Sequence, residues 1–131
     1  MAFAPTHPVV WTEIPVRDLD AARRFYEAVF GWEMHRDEGG PNPILFIPSS
    51  DPRTGVAGHL YPGTPADGGG PTVHLQVPDR LEDAVDRARA AGAAVPEMPA
   101  VEIPFGRFRY MTDPDGNSIA LFEPNAAMRE G

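Results

Sequence analysis

A carboxylate and an imidazole occupy equivalent positions in the two halves of the chain. Glu13 and His74 each lie five residues before an aspartate that precedes an amphipathic segment, Asp18 in the first half and Asp79 in the second. A carboxylate beside an imidazole favours an ion pair, or supplies a general base and a general acid. Glu13 and His74 are therefore the predicted catalytic residues if the protein is an enzyme. The simpler alternative is that they hydrogen-bond each other or water, or contact a ligand.

A second histidine would extend this pair to a metal-binding set. His59, together with Glu13 and His74, gives two imidazoles and one carboxylate, a combination that binds Fe(II) or Zn in proteins. Spacing along a chain does not establish that side chains converge in space. We therefore favour ligand contact for His59 and keep a divalent metal (Fe, Zn, Ni or Mn) as the alternative.

Aromatic residues in the same segments predict an apolar binding surface. Trp11, Tyr61 and Phe122 alternate with core-type residues, so we expect them to line a pocket. Gln76 would offer its side-chain amide to a ligand there.

The elements that must position these residues begin with Val9–Val16, whose alternation predicts a strand. Asp18 is placed to cap a helix whose apolar residues recur at helical spacing, and Gly31 is placed to end it. Three further strands are predicted, over Trp32–His35, Ile44–Pro48 and Gly55–Tyr61.

The second half repeats this order. Thr72–Val77 predicts a strand, and Asp79 with Glu82 predicts a capping box at the start of a second amphipathic helix. Gly92 is placed to end that helix. The strands that should follow are Ala93–Glu97, Phe105–Thr112 and Ser118–Glu123, the last two joined by a turn at Asp113–Gly116.

The repeat predicts one domain over residues 1–131, made of two modules of order βαβββ. The first module covers about 8–62 and the second about 72–124, joined by a glycine- and proline-rich linker over about 62–71. A unit this short cannot bury both faces of its sheet, so the modules should pair.

Composition excludes several classes of protein. The chain has 131 residues, no cysteine and a formal net charge of -8. Disulfides and thiolate metal sites are therefore impossible. Nucleic acid and anionic membrane partners are not expected, because they require clustered basic residues. No apolar run has the length of a signal peptide or a membrane span, so we expect a cytoplasmic location.

Several motifs together resemble the vicinal oxygen chelate superfamily, which includes glyoxalase I, bleomycin-resistance proteins and extradiol dioxygenases. The motifs are Val16-Arg-Asp-Leu19, Phe25-Tyr26, Phe30-Gly31, Asp113-Pro-Asp-Gly-Asn117 and the strand that ends at Glu123. The resemblance implies an α+β fold in which two βαβββ modules form a cupped, open eight-stranded barrel. It also implies a small-molecule ligand or substrate and a homodimer.

The family's metalloenzymes carry four ligands, usually His and Glu, on four strands that line the cup. Three of the matching positions here are Trp11, Thr72 and Ala120, and the fourth is Gly58 or His59. Trp and Ala side chains cannot bind a divalent cation, and a lone Thr hydroxyl is a weak ligand. Glu123 lies three residues beyond Ala120, so strand alternation should turn its carboxylate to solvent on the other face.

The departure from the ligand set favours a metal-free protein that binds a small molecule, as bleomycin-resistance relatives do. Trp11, Thr72 and Ala120 then become ligand-contacting positions. The alternative is a lyase, isomerase or dioxygenase that uses Glu13 and His74, with or without a metal. An accessory domain that works through its dimer surface is a third hypothesis.

Overall fold

The computed structural model describes residues 2–5, 7–51 and 57–125, and its elements follow the predicted order. The order is β1 (Trp11–Val16), α1 (Leu19–Phe30), β2 (His35–Asp37), β3 (Ile44–Ile47), β4 (Ala57–Pro62), β5 (Val73–Gln76), α2 (Leu81–Ala90), β6 (Val101–Ile103), β7 (Gly106–Thr112) and β8 (Ser118–Pro124).

Each module forms its own four-stranded mixed sheet. The strand orders are β1-β4-β3-β2 and β5-β8-β7-β6, with β1–β4 and β5–β8 parallel and the other pairs antiparallel. The α+β fold of two βαβββ modules is confirmed, although the sheets do not close into a barrel. Strands β1 and β5 each lie at an edge, so each has one side that is not paired within its own sheet.

The first helix begins and ends as its sequence predicts. Oδ1 of Asp18 accepts hydrogen bonds from the N–H groups of Asp20 and Ala21, at 2.9 and 3.1 Å. Gly31 ends the helix with a left-handed φ of 72°, a conformation that costs glycine little. The apolar stripe of α1 is buried against the core.

The second helix begins differently, and the predicted capping box is wrong. Arg80 is at the N-cap and its side chain makes no capping bond. The cap comes from another strand, because Oε1 of Glu123 accepts from the N–H of Leu81 at 2.7 Å. Asp79 instead pairs with Arg87 through two hydrogen bonds of 2.7 and 2.9 Å.

The prediction that Glu123 faces solvent is also wrong. Its carboxylate lies at the end of β8, next to the start of α2, where the helix has unsatisfied N–H groups. Arg107 on β7 donates to Glu123 at 2.8 Å and to Glu82 at 2.7 Å, so one guanidinium joins the strand to the helix.

Three predicted strands differ from those observed. Residues Ala93–Glu97 supply only one bridge, between Ala94 and Thr112, and the strand lies further on in β6. Strand β2 begins at His35, because the Trp32 ring stacks on Phe30 at 4.9 Å, where it helps to close the core. In the predicted strand from Gly55, residues 55–56 lie outside the described residues.

Both helices pack on one face of the sheets and contact each other. The core lies between helices and sheets; its large, fully buried residues include Tyr26, Met34, Leu60, Leu81 and Leu121. The opposite sheet face carries the alternate residues of each strand. No helix in the described ranges is long and apolar enough to cross a membrane.

Candidate functional site

A cavity of about 610 Å³ lies between β1 and β5, each of which is an edge strand of its sheet. Five consecutive residues of β1, Trp11–Pro15, line it together with Thr72 and the first three residues of β5, Val73–Leu75. Successive strand residues point to opposite faces of the sheet. Five neighbouring residues can therefore line one cavity only if the cavity runs along the unpaired edge of the strand. The other lining residues are Val9, Ile47, Ala57, Ala66, Gly69, Pro71, Asn117, Ser118 and Ile119.

Four of the predicted site residues line this cavity: Trp11, Glu13, Thr72 and His74. The other five, which do not line it, are His59, Tyr61, Gln76, Ala120 and Phe122. Those five lie on the sheet faces away from the helices. Ala120 is wholly buried beside His74 and Tyr110, its partners on the neighbouring strands.

The register of β4 decides which of its residues corresponds to the fourth family position. Glu13 pairs with His59, and Thr12 pairs with Gly58. His59 therefore shares the face that carries Glu13 and Trp11. Gly58 lies so close to β1 that an added Cβ would be 2.0 Å from the carbonyl oxygen of Thr12, so only glycine fits there.

One imidazole joins the tryptophan and the carboxylate on the cavity wall. Nε1–H of Trp11 donates to Nδ1 of His59 at 3.0 Å, and Nε2 of His59 lies 3.1 Å from Oε1 of Glu13. A neutral histidine that accepts at Nδ1 carries its proton at Nε2, the nitrogen that faces the carboxylate. The His59 side chain is 14% exposed and that of Glu13 is 65% exposed.

His74 has aromatic neighbours. Its ring centroid lies 4.7 Å from that of Phe108, 6.1 Å from Phe122 and 6.4 Å from Tyr110. Burial lowers the pKa of His74 below its ordinary value, because a low-dielectric environment disfavours the imidazolium. Glu13 and His74 thus face the same cavity, but the imidazole that Glu13 contacts is His59.

The side chains at the family's ligand positions do not fit a metal. The indole N–H of Trp11 is a donor already bound to His59, and Ala120 offers no lone pair. The Thr72 hydroxyl is 2.5 Å from that of Ser118. Over residues 2–5, 7–51 and 57–125, no three His, Asp or Glu side chains are arranged to hold one metal ion.

Sequence reasoning missed the part of the wall that joins the modules. Nδ2 of Asn117 donates to the carbonyl oxygen of Pro15 at 2.7 Å, so the end of the β7–β8 turn holds β1. Both residues line the cavity. Asn117 belongs to the Asp113–Asn117 motif, but a turn motif does not reveal which distant strand it contacts.

Comparison with known proteins identifies the family and several relatives. Residues 8–121 match the Glyoxalase/Bleomycin resistance protein/Dioxygenase superfamily. The protein named "Putative glyoxylase CFP32" of Mycobacterium bovis is 28% identical over 119 residues, which are 88% of this chain and 45% of that protein. The chain thus spans less than half the length of this relative.

Solved structures share the fold over most of their length. The hypothetical protein SA1046 of S. aureus superposes with a TM-score of 0.67 at 20% identity, covering 92% of this chain and 99% of that one. TnmS3, an antibiotic binding protein from Streptomyces sp. CB03234, superposes with a TM-score of 0.59 at 26% identity, covering 95% and 100%.

The family match covers most of the chain, and the two βαβββ modules agree with it. The chain belongs to the glyoxalase/bleomycin resistance protein/dioxygenase superfamily.

Proposed function

We propose that this protein binds a small, mainly apolar molecule in the cavity between β1 and β5. The observation that carries the proposal is the cavity itself. Its volume of about 610 Å³ lies within the usual range for small-molecule sites. Apolar side chains make up most of its walls, and a few polar groups are available to orient a ligand: Glu13, Thr72, His74, Asn117 and Ser118. The likeness to TnmS3, an antibiotic binding protein, also supports ligand binding.

The proposed binding needs no metal. The residues at the family's ligand positions are a tryptophan, a threonine and an alanine, and their chemistry supports a site without the usual ion. Trp11 and Thr72 would contact the ligand directly. The remaining predicted contacts would support the cavity wall or lie on the adjoining sheet faces. They are His59, Tyr61, Gln76, Ala120 and Phe122.

A neutral apolar dye tests the proposal. Nile red fluoresces strongly when it leaves water, so its titration reports occupancy of an apolar cavity. Ala57 lines the cavity, and Ala57→Phe would fill part of it. We expect this variant to weaken Nile red binding at least fivefold. Ala90 is exposed on α2, and Ala90→Phe makes the same change away from the cavity. Equal binding by both variants would contradict the proposal.

Acid–base catalysis is the second candidate function. Glu13 and His74 both line the cavity, and the neutral form of His74 favoured by burial can accept a proton at neutral pH. This hypothesis predicts that Glu13→Ala abolishes turnover of a substrate while the fold survives. Retained turnover in that variant would contradict it.

We also propose that the protein is a homodimer. Four apolar residues on or beside the β6–β7 hairpin are 40% to 64% exposed: Met98, Val101, Phe105 and Tyr110. Strand β6 lies at a sheet edge, so its outer side is available for pairing. Exposed apolar side chains beside an open edge support self-association.

A further inference from the structure

The charge of the cavity wall is set by one residue. Among the described residues that line the cavity, Glu13 carries the one acidic side chain, and none is an arginine or a lysine. The other titratable group on the wall is His74, and burial lowers its pKa, so it is neutral at neutral pH. An apolar cavity with one carboxylate attracts positive charge and disfavours anions.

The Glu13 carboxylate has an oxygen atom that is available to bind a ligand. Oε1 of Glu13 is 3.1 Å from Nε2 of His59, whereas Oε2 accepts no hydrogen bond from the described residues. A carboxylate oxygen on the wall is an acceptor for a charged amine, and such charge-assisted bonds are stronger than neutral ones.

The aromatic ring of Trp11 belongs to the same part of the cavity wall as Glu13. Trp11 is two residues before Glu13, on the same face of β1, and the residue is 46% exposed. Its N–H donates to Nδ1 of His59, and its ring packs edge-on against Phe46 at 6.3 Å, so the ring has a defined orientation. Indole faces attract cations, and tryptophan does so best among aromatic residues.

We propose that the cavity selects an organic cation, a protonated amine attached to an apolar body, with Glu13 and Trp11 as its contacts. His59 is the positioning residue that holds both. The proposal rests on the proposed binding function and adds the chemical class of the ligand. The imidazole contacts two wall residues at once: Nδ1 accepts from Trp11, and Nε2 lies 3.1 Å from Oε1 of Glu13.

Three naphthalenes of similar shape test the charge preference. The probes are 1-naphthylmethylamine, which is cationic at neutral pH, 1-naphthalenemethanol, which is neutral, and 1-naphthoate, which is anionic. Binding is measured by calorimetry at low ionic strength. Glu13 is largely exposed and its charge is screened, so we expect the amine to bind about three- to fivefold tighter than the alcohol, with the anion weakest.

Two variants assign the preference to named residues. Glu13→Gln keeps the shape of the side chain and should reduce the amine-to-alcohol ratio to about one. His59→Phe keeps a ring and loses the contacts with both Trp11 and Glu13, and it should reduce the same ratio while alcohol binding changes less. Glu33→Gln removes an equal charge from an exposed position after α1 and should leave the ratio unchanged.

The outcomes of these experiments distinguish a failure of the cation preference from a failure of the proposed binding function. Equal binding of amine and alcohol, or a ratio unchanged by Glu13→Gln, would overturn the cation preference even if the Nile red experiment succeeds. Absence of amine binding would overturn it as well. Failure of Nile red to respond to Ala57→Phe would contradict the cavity function itself.

Discussion

The hydroxyl of Tyr26 donates a 2.7 Å hydrogen bond to Oδ2 of Asp113, which joins α1 of the first module to the β7–β8 turn of the second. Asp113 is 4% exposed, and its carboxylate also accepts from the N–H groups of Asp115 and Asn117 and from the Asn117 amide. Burial and the Asp113 charge raise the pKa of Tyr26 well above its ordinary value, so the hydroxyl stays protonated and donates. This network fixes the module interface beside the cavity.

Removing that hydroxyl should destabilise the protein. Tyr26→Phe leaves a buried carboxylate with one donor fewer, and we expect a loss of about 1–3 kcal/mol in the free energy of unfolding. Urea denaturation measures this loss. Tyr61→Phe removes a hydroxyl from a half-buried residue on the sheet face away from the helices, and it should change stability by less than about 0.5 kcal/mol. Equal effects would argue against the network.

The β1–β4 pairing should depend on the absence of a side chain at Gly58. A Cβ there would lie 2.0 Å from the Thr12 carbonyl oxygen, and backbone cannot move aside cheaply. Gly58→Ala should therefore cost about 3 kcal/mol of stability. Gly40→Ala is the matched control, because its added Cβ would have its nearest neighbour at 4.0 Å. A fully stable Gly58→Ala variant would contradict the described register.

The free energy of unfolding should decrease in acid partly because the Glu123 carboxylate becomes protonated. The N–H of Leu81, followed by Arg107, lowers the pKa of Glu123, so its contribution is complete above the unfolded pKa of about 4.3. That contribution is lost as the pH falls from there through the lower folded pKa. Glu123→Gln should cost about 1 kcal/mol at pH 7 and much less at pH 3. Urea midpoints between pH 3 and 7 measure this, and parallel curves would contradict the assignment.

The proposed dimer should dissociate when a charge is placed on its apolar surface. Val101 is 40% exposed on β6, and Val101→Lys would bury an ammonium in the interface. Size-exclusion chromatography with light scattering should then report a monomer. Glu102→Lys changes the charge of the adjacent residue, whose side chain points to the opposite face, and should leave the dimer intact. Dimeric Val101→Lys would contradict this interface.

Local patterns predicted most of the elements because each depends on residues close in sequence. Asp18, Gly31 and the apolar stripe of α1 act within one helix, so its limits could be derived from the sequence. The start of α2 could not, because Glu123, 42 residues away, provides the cap that Asp79 was expected to provide. Strand β6 also depends on the pairing of Val101 with Phe108 in β7.

The candidate site, like the fold, could be predicted only in part from the sequence. Alternation predicted the strand that carries Trp11 and Glu13, and the two residues, two apart in β1, lie on one face of it. The contact between Glu13 and His59 depends on β1 lying parallel to β4 in one register, which no pattern within either strand encodes. The Asn117 contact with Pro15 links the two modules and depends on how they dock.

The most direct test of the cavity function uses the two tryptophans of the chain. Trp11 lines the cavity, whereas Trp32 stacks on Phe30 and Tyr26 away from it. In ¹⁵N-labelled protein titrated with 1-naphthylmethylamine, the indole N–H resonance of Trp11 should shift and saturate while that of Trp32 stays fixed. A bound probe that leaves the Trp11 resonance unmoved would contradict the account.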